Sequence, residues 1–316
     1  MEKVDIFLDL YGHIQLFVMR KENMSNIAKL MISLALMSQL FSVVFAQDKA
    51  LITVPRYDDA DEFLPPAEKR NIERVKLVLK QQPGEETFTA ISKRSVSIKI
   101  VAKIPDGAKA GVVLFVGGNS VLSMGADDKL ERSFNFTSRS REYYWPLGFA
   151  TFLVDAPSDH LDKEGLTPQF RNTPEFAEDI KAVIALISAK FKKPLYAVGH
   201  SNGAVATAAL AAMPELPILS YTLVSPAHMQ WPGMDLVVKT KYTKPVFIVE
   251  NTRDECRYSS AGSVDGLARS ISSPSVIVSW VEAGKPPIGG PCGPFGFHSF
   301  FGAEQAAVEA IVKNLN

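Results

Sequence analysis

Downstream of residue 73, short apolar runs rich in Val, Ile and Leu alternate with segments of helical periodicity. Few architectures accommodate this alternation, because each strand must return to the same sheet through a right-handed helical crossover. We predict strands over 75–79, 96–104, 111–116, 150–154, 195–199, 220–224, 246–250 and 276–281. Several of these runs are almost continuously apolar, as in strands buried on both faces of a parallel sheet. The pattern predicts an α/β fold with a mostly parallel, doubly wound sheet and helices on both faces.

The helical segments have recognisable beginnings and one apolar face. Pro174 and Glu175 suit the first turn of a helix, and the apolar residues that follow recur at spacings of three and four: Ile180, Val183, Ile184 and Ile187. The segment 202–213 is rich in Ala and suits close packing on a sheet. We predict helices over 174–191, 202–213, 262–271 and 303–315. Neither an internal repeat nor a linker divides residues 47–316, which we predict to be one domain.

The first 46 residues have the pattern of a leader and signal peptide. An uncharged apolar run over 30–46 follows Lys29 and ends in Val44-Phe45-Ala46, which predicts cleavage after Ala46. A start at Met24 would give a signal of ordinary length. As a helix, the run would span only about 25 Å, slightly short for a membrane anchor, although an uncleaved anchor is the alternative. We therefore expect a periplasmic or secreted protein with no stable membrane insertion after cleavage.

Composition excludes several classes of function. The 34 Lys+Arg residues balance the 34 Asp+Glu residues, which argues against nucleic acid as a partner. Two cysteines cannot by themselves build a zinc ribbon or an iron–sulfur cluster, and no phosphate-binding glycine loop is present, so we predict neither a metal nor a cofactor. In an oxidising compartment Cys256 and Cys292 are expected to form a disulfide, with two buried free thiols as the alternative.

The strongest local motif is Gly199-His200-Ser201-Asn202-Gly203, which lies between a predicted buried strand and the Ala-rich helix. A serine at such a junction needs a tight turn, with small residues two positions before and after it. This turn exposes the serine hydroxyl and leaves the N–H of Asn202 at a helix N-terminus, aimed at a developing oxyanion. The alternative is a glycine-rich loop whose serine only caps the helix.

Serine becomes a strong nucleophile only when a base accepts its proton and an anion orients that base. His298 follows the last strand and a long loop, and it is the better candidate base; His228 is the alternative. Asp254 lies four residues past the strand 246–250 and is the candidate acid, with Glu255 as its competitor. The chain order Ser…Asp…His is one of the known orders of a catalytic triad.

In these motifs the chain, from about residue 73 to 316, resembles the α/β-hydrolase family of serine hydrolases. The resemblance implies that Ser201 is the nucleophile, His298 the general base and Asp254 the orienting carboxylate. The family's second oxyanion donor follows its third strand in a His-Gly turn. Here Val116 stands in place of that His, so Gly118, with Gly117 next, is the expected donor beside Asn202.

The resemblance also bears on the cysteines and the substrate. A Cys256–Cys292 bridge would tie the loop of the acid to the loop of the histidine, in which nine of the thirteen residues 284–296 are Gly or Pro. Only about 19 residues (225–243) are available for a cap, which implies an open site similar to that of dienelactone-hydrolase-like esterases. We expect an exported serine hydrolase of small-molecule or polymeric esters. A peptidase or acyltransferase of the same fold and a non-catalytic binding protein are the alternatives.

Two further groups of residues receive structural interpretations. Asp155, Asp159 and His160 follow a predicted strand, and a structural turn is favoured over a metal or substrate site. The segment 143–145 is expected to pack in the core, with an acyl pocket as the alternative.

Overall fold

The computed structural model describes residues 80–315, so the leader at 1–46 and the strand expected at 75–79 lie outside the described residues. The strands are β1 (Glu86–Ile91), β2 (Ser97–Lys103), β3 (Ala110–Phe115), β4 (Ser123–Met124), β5 (Leu130–Arg132), β6 (Phe149–Pro157), β7 (Leu195–His200), β8 (Ile218–Val224), β9 (Val246–Asn251) and β10 (Val276–Val281). The helices are α1 (Phe136–Ser140), α2 (Pro174–Lys190), α3 (Gly203–Ala211), α4 (Leu236–Lys239), α5 (Val264–Ser270) and α6 (Glu304–Lys313).

Eight strands form one sheet in the order β1-β2-β6-β3-β7-β8-β9-β10. β2 pairs antiparallel with both β1 and β6, and every other pair in this sheet is parallel. β4 and β5 form a separate two-stranded hairpin. The expected mostly parallel α/β sheet is therefore confirmed.

Along each strand, alternate side chains belong to two apolar clusters on opposite faces of the sheet. On β3, Val113 and Phe115 belong to one cluster, whereas Val112 and Leu114 belong to the other. α2, α3 and α5 pack on the first face, and α1 and α6 contribute to the second. The sheet is thus covered on both sides, as the nearly continuous apolar runs predicted.

The helix α2 begins and packs as its sequence predicts. Thr173 caps it by accepting a hydrogen bond from the Phe176 N–H at 3.3 Å, and Pro174 occupies the first turn. Such a cap contributes about 1 kcal/mol. Every residue of α3 is buried, because its alanines let the helix lie close against β7 and β8.

Two regions differ from the sequence prediction. β1 was not predicted, and neither was the hairpin β4–β5, because both are short and largely exposed and lack a continuous apolar run.

Between β8 and β9 the fully described stretch 225–245 contains one α-helix, the four-residue α4, so this position carries no cap domain. In the described part of the chain, we find no helix with the length and apolar character needed to cross a membrane.

Candidate active site

Ser201 lies on a tight turn between β7 and α3. Its φ of 54° is in the left-handed region, which is sparsely populated for residues other than glycine. A Cβ at Gly199 would lie 2.1 Å from the Gly203 carbonyl oxygen, and a Cβ at Gly203 would lie 2.2 Å from that of Phe115. Only glycine therefore fits on either side of the serine, as the motif predicted.

Asp254 and His298 form a buried pair at the ends of two loops. Oδ2 of Asp254 lies 2.9 Å from Nδ1 of His298, and the two residues are 3% and 2% exposed. Asp254 is placed by the turn after β9, and His298 by a short 3-10 turn before α6. This contact orients the imidazole and leaves its Nε2 to face away from the carboxylate.

The carboxylate of Asp254 has two further hydrogen-bond donors. The backbone N–H of Cys256 donates to Oδ1 at 2.7 Å, and the hydroxyl of Ser259 donates to Oδ2 at 3.0 Å. Glu255, the competing acid, is exposed on the surface. These two hydrogen bonds fix the orientation of the Asp254 carboxylate beside His298.

A second carboxyl group, that of Glu250 at the end of β9, is buried beside Asp254. Its Oε1 accepts hydrogen bonds from the Ser225 hydroxyl and the Asn251 N–H, both at 2.9 Å. Burial, and then the negative charge of Asp254, raises the pKa of Glu250 well above its usual value. Oε2 has no hydrogen-bond donor in the described structure, and a protonated Glu250 could donate from its carboxyl group to Asp254.

The loop of His298 is held from three sides. Nε2 of His200 lies 3.0 Å from the His298 carbonyl oxygen, and Nη2 of Arg139 donates to the Ser299 carbonyl at 2.8 Å. The predicted Cys256–Cys292 disulfide is present and joins this loop to that of Asp254. A segment dominated by Gly and Pro is thereby attached to rigid neighbours.

His200 is neutral and acts as a donor in this arrangement. Burial, followed by the proximity of His298, lowers the pKa of His200 well below its usual value. A neutral ring that donates from Nε2 to the His298 carbonyl leaves Nδ1 unprotonated, and this atom has no partner among residues 80–315.

The backbone N–H groups of Gly118 and Asn202 lie beside Ser201, at the end of β3 and the start of α3. Neither N–H has an acceptor within the described chain. The side-chain amide of Asn202 donates to the Gly118 carbonyl at 3.2 Å and so links the two segments. Gly118 has a φ of +60°, and a Cβ at Gly117 would lie 3.0 Å from Nδ1 of His200, so this close approach requires glycines.

A cleft of about 540 Å³ contains Ser201, His298, Asn202 and Gly118. The lining of this cleft also includes side chains from the hairpin β4–β5 and the residues after it, from the segments 164–168 and 225–245, and from the loop after β9: Arg132, Phe134, Glu164, Trp231, Met234 and Tyr258. The structure therefore brings the predicted nucleophile, base and oxyanion donors to one cavity.

His228, the alternative base, does not line this cleft. Its Nδ1 lies 2.8 Å from the Pro226 carbonyl oxygen, and burial lowers the pKa of its imidazole. His228 therefore stabilises the turn after β8, and among the histidines of residues 80–315 it is His298 that contacts Asp254.

The other residues singled out in the sequence have structural contacts. Oδ1 of Asp155 accepts the N–H groups of Leu122 and Ala156 at 2.7 and 2.8 Å, and burial raises the pKa of this carboxyl to about 7. Asp159 pairs with Arg94. The segment 143–145 packs with the apolar cluster around α6 and does not line the cleft.

Across residues 80–315, no three His, Cys, Asp or Glu side chains are grouped as they would be around a metal ion. The cleft brings together a serine hydroxyl, an imidazole paired with a carboxylate, and two backbone N–H groups. This set suits nucleophilic acyl transfer.

The sequence did not point to Ser259, to Glu250 as a buried carboxyl group, or to the hairpin β4–β5 that lines the cleft. Ser259 lies 39 residues from His298 in the chain, and no local pattern marks it. Glu250 carries one signal in hindsight, because a carboxylate that ends a nearly continuous apolar strand must be buried.

Comparison with solved structures finds proteins of similar architecture. The chain is similar to an alpha-beta serine hydrolase homologue from Coxiella burnetii, with a TM-score of 0.50 and 18% identity over 73% of this chain and 97% of that one. It is also similar to a dienelactone hydrolase from Anabaena variabilis, with a TM-score of 0.52 and 14% identity over 73% and 96% of the two chains. No family model and no curated protein sequence matches the chain. At these identities, the likeness shows a shared fold.

Proposed function

We propose that this chain, which has the α/β-hydrolase fold, is a serine hydrolase that cleaves carboxylic esters through an acyl-enzyme intermediate. The observation that carries the proposal is the 2.9 Å contact between the buried side chains of Asp254 and His298, beside a cleft that also contains Ser201. An imidazole oriented in this way can accept the proton of a serine hydroxyl.

In the proposed reaction, Oγ of Ser201 attacks the ester carbonyl while Nε2 of His298 takes its proton. Asp254 keeps the other ring nitrogen protonated and stabilises the imidazolium that forms. The N–H groups of Asn202 and Gly118 bind the oxyanion, and each such donor contributes about 3–4 kcal/mol to the transition state. His298 then protonates the leaving alcohol and activates the water that releases the acid.

The shape of the cleft supports a broad choice of esters. No cap lies between β8 and β9, and the cavity is lined by residues of the hairpin β4–β5 and by Trp231. Trp231 is 51% exposed, and it packs edge-on against Tyr258 with ring centroids 6.4 Å apart. This arrangement suits small-molecule or polymeric esters that approach from solution.

We propose that the protein works in the periplasm or outside the cell, with 1–46 removed and 47–316 as the hydrolase domain. The Cys256–Cys292 disulfide supports this location, because such bonds persist in oxidising compartments. Amino-terminal sequencing of the protein from its native host tests the proposal. A first residue other than Gln47 would contradict the assigned cleavage site.

The enzymatic proposal is tested by hydrolysis of a p-nitrophenyl ester series by residues 47–316. Ser201→Ala should lower kcat by about 10⁴-fold or more. Ser270→Ala, an exposed serine of α5, is the matched control and should keep wild-type activity. Turnover of amides in preference to esters would indicate a peptidase, and transfer to an alcohol in preference to water an acyltransferase. Activity unchanged in Ser201→Ala would overturn the proposal, and inactivity of all three proteins would favour a binding protein.

A further inference from the structure

Arg171 is a buried cation that differs from the other buried arginines. The side chains of Arg139, Arg141 and Arg171 are all almost completely buried. Arg139 pairs with Glu304 at 3.0 Å and Arg141 with Glu85 at 2.5 Å. Arg171 has no carboxylate partner among the described residues, and all of its hydrogen bonds go to backbone carbonyls.

Those carbonyls belong to the segments that form the candidate oxyanion hole. Nη1 of Arg171 donates to the Asn202 carbonyl at 2.9 Å, and Nη2 donates to the Gly118 carbonyl at 2.9 Å. Nε and Nη2 also donate to the Leu166 carbonyl, at 3.2 and 2.9 Å. One planar guanidinium therefore contacts both residues whose N–H groups face the substrate carbonyl in the proposed reaction.

The loop that bears Gly118 needs an external support. Gly117 and Gly118 are adjacent, and glycine has the greatest backbone freedom of any residue. The carbonyl that Arg171 holds and the N–H that would bind the oxyanion flank the same Cα, so fixing the carbonyl restricts the direction of the N–H. Leu166 adds a second attachment, because its N–H donates to the Asn119 carbonyl at 2.9 Å.

We infer that Arg171 is a positioning residue of the oxyanion hole: its guanidinium fixes the Gly118 and Asn202 segments at the spacing the oxyanion requires and places a positive charge behind both donors. This inference rests on the proposed function. Arg171 touches no substrate atom and acts through the two backbone segments.

The buried charge gives this arrangement a purpose beyond packing. Burial lowers the pKa of the Arg171 guanidinium to about 9, so it remains protonated at neutral pH. An isolated cation is costly to bury, and carbonyl dipoles offset only part of that cost. When the oxyanion forms beside the N–H groups of Gly118 and Asn202, its negative charge supplies part of the missing counter-charge. The interaction with Arg171 is therefore stronger in the transition state than in the ground state.

The test compares the kcat of Arg171→Met and Arg171→Lys with that of wild type. Each kcat is expressed per active serine, counted by titration with a fluorophosphonate to completion. We expect kcat of Arg171→Met to fall by about 100-fold, comparable to the loss of one oxyanion donor, while KM changes less than about threefold. Arg171→Lys keeps a cation but not the planar fork, so its kcat should fall by about 10-fold. The inhibition constant of phenylboronic acid, which forms a tetrahedral anionic adduct with a serine nucleophile, should rise in parallel with the loss of kcat.

Arg141→Met is the matched control, since it removes an equally buried guanidinium outside the cleft. It should lower the unfolding midpoint with kcat per titrated serine unchanged. Equal kcat in Arg171→Lys and wild type, a change in KM alone, or the same kcat loss in Arg141→Met would overturn the inference. If Ser201→Ala keeps full activity, the proposed function itself fails. If Ser201→Ala is inactive while Arg171→Lys has the kcat of wild type, only the positioning role of Arg171 is overturned.

Discussion

The hydroxyl of Ser259 lies 2.9 Å from Nδ1 of His298, the ring nitrogen that also faces Asp254. Ser259 donates to Oδ2 of Asp254 at 3.0 Å, so a serine, a carboxylate and an imidazole form a closed triangle behind the candidate base. Because the Ser259 hydroxyl donates its proton to Asp254, the Nδ1–H of His298 is shared between Oδ2 of Asp254 and Oγ of Ser259.

Replacing Ser259 with Ala should weaken but not abolish catalysis. A hydrogen bond to a charged group contributes about 1.5–3 kcal/mol, and part of this loss should appear as a fall in kcat of about 3–10-fold with little change in KM. Asp254→Asn should lower kcat by about 10⁴-fold, because the imidazole would be held in the wrong tautomer. Steady-state kinetics of both variants check this ranking, and a Ser259→Ala loss as large as that of Asp254→Asn would contradict it.

Burial and the negative charge of Asp254 raise the pKa of Glu250 and so favour its protonated form, which an isosteric amide should replace. In Glu250→Gln, the amide oxygen can still accept from Ser225 and Asn251, and the amide N–H can face Asp254. We expect kcat within about threefold of wild type, whereas Glu250→Ala should lose about 1–3 kcal/mol of stability by leaving a buried hydroxyl without its acceptor. Urea unfolding and ester kinetics measure both quantities. A large loss of activity in Glu250→Gln would show that its negative charge is required.

Asp155 should make stability depend on pH. Burial raises the pKa of its carboxyl from 3.8 to about 7, so between these values the folded protein binds a proton that the unfolded chain has released. The contribution is present below pH 4 and is lost as pH rises through 7, with a slope of at most about 1.4 kcal/mol per pH unit. Asp155→Asn should remove this component from urea-unfolding curves recorded between pH 4.5 and 7.5. The exposed Asp106→Asn variant should retain the wild-type slope, and identical slopes in all three proteins would refute the assignment.

The disulfide should support both folding and catalysis. It closes 36 residues of chain between Cys256 and Cys292, for which loop-closure entropy gives about 3–4 kcal/mol. The double variant Cys256→Ala/Cys292→Ala should unfold at correspondingly lower urea concentration and lose kcat, because the loops of Asp254 and His298 would move independently. A phosphine reductant should lower the unfolding midpoint of the wild-type protein and leave that of the double variant unchanged. Equal unfolding midpoints for the oxidised wild type and the double variant would contradict the expected contribution of the disulfide.

The central strands and the elbow could be predicted because their constraints are local. Continuous apolar runs identify β3, β7 and β9, and the glycines around Ser201 are required by atoms within the turn or directly beneath it. The order of Asp254 and His298 along the chain sufficed to nominate them. β1 and the hairpin β4–β5 escaped prediction because exposed strands of two to six residues carry little hydrophobic periodicity.

The supporting residues could not be predicted because their partners are distant in sequence. Arg171 meets the Gly118 carbonyl 53 residues away, and Ser259 meets His298 across 39 residues. An arginine or serine in a loop is usually solvated, and only the folded chain reveals that these two are buried with specific acceptors. Long-range contacts of this kind depend on the packing of several loops at one edge of the sheet.

The most direct test of the central claim is to label residues 47–316 with a fluorophosphonate and map the adduct by peptide mass spectrometry. A serine activated by His298 should carry a single adduct, at Ser201, and the label should be absent from Ser201→Ala. In His298→Ala the labelling rate should fall by about 10³-fold or more, because the hydroxyl would lack its base. An adduct at Ser259 or another serine, or no adduct in the wild-type protein, would contradict the assignment of Ser201 as the nucleophile.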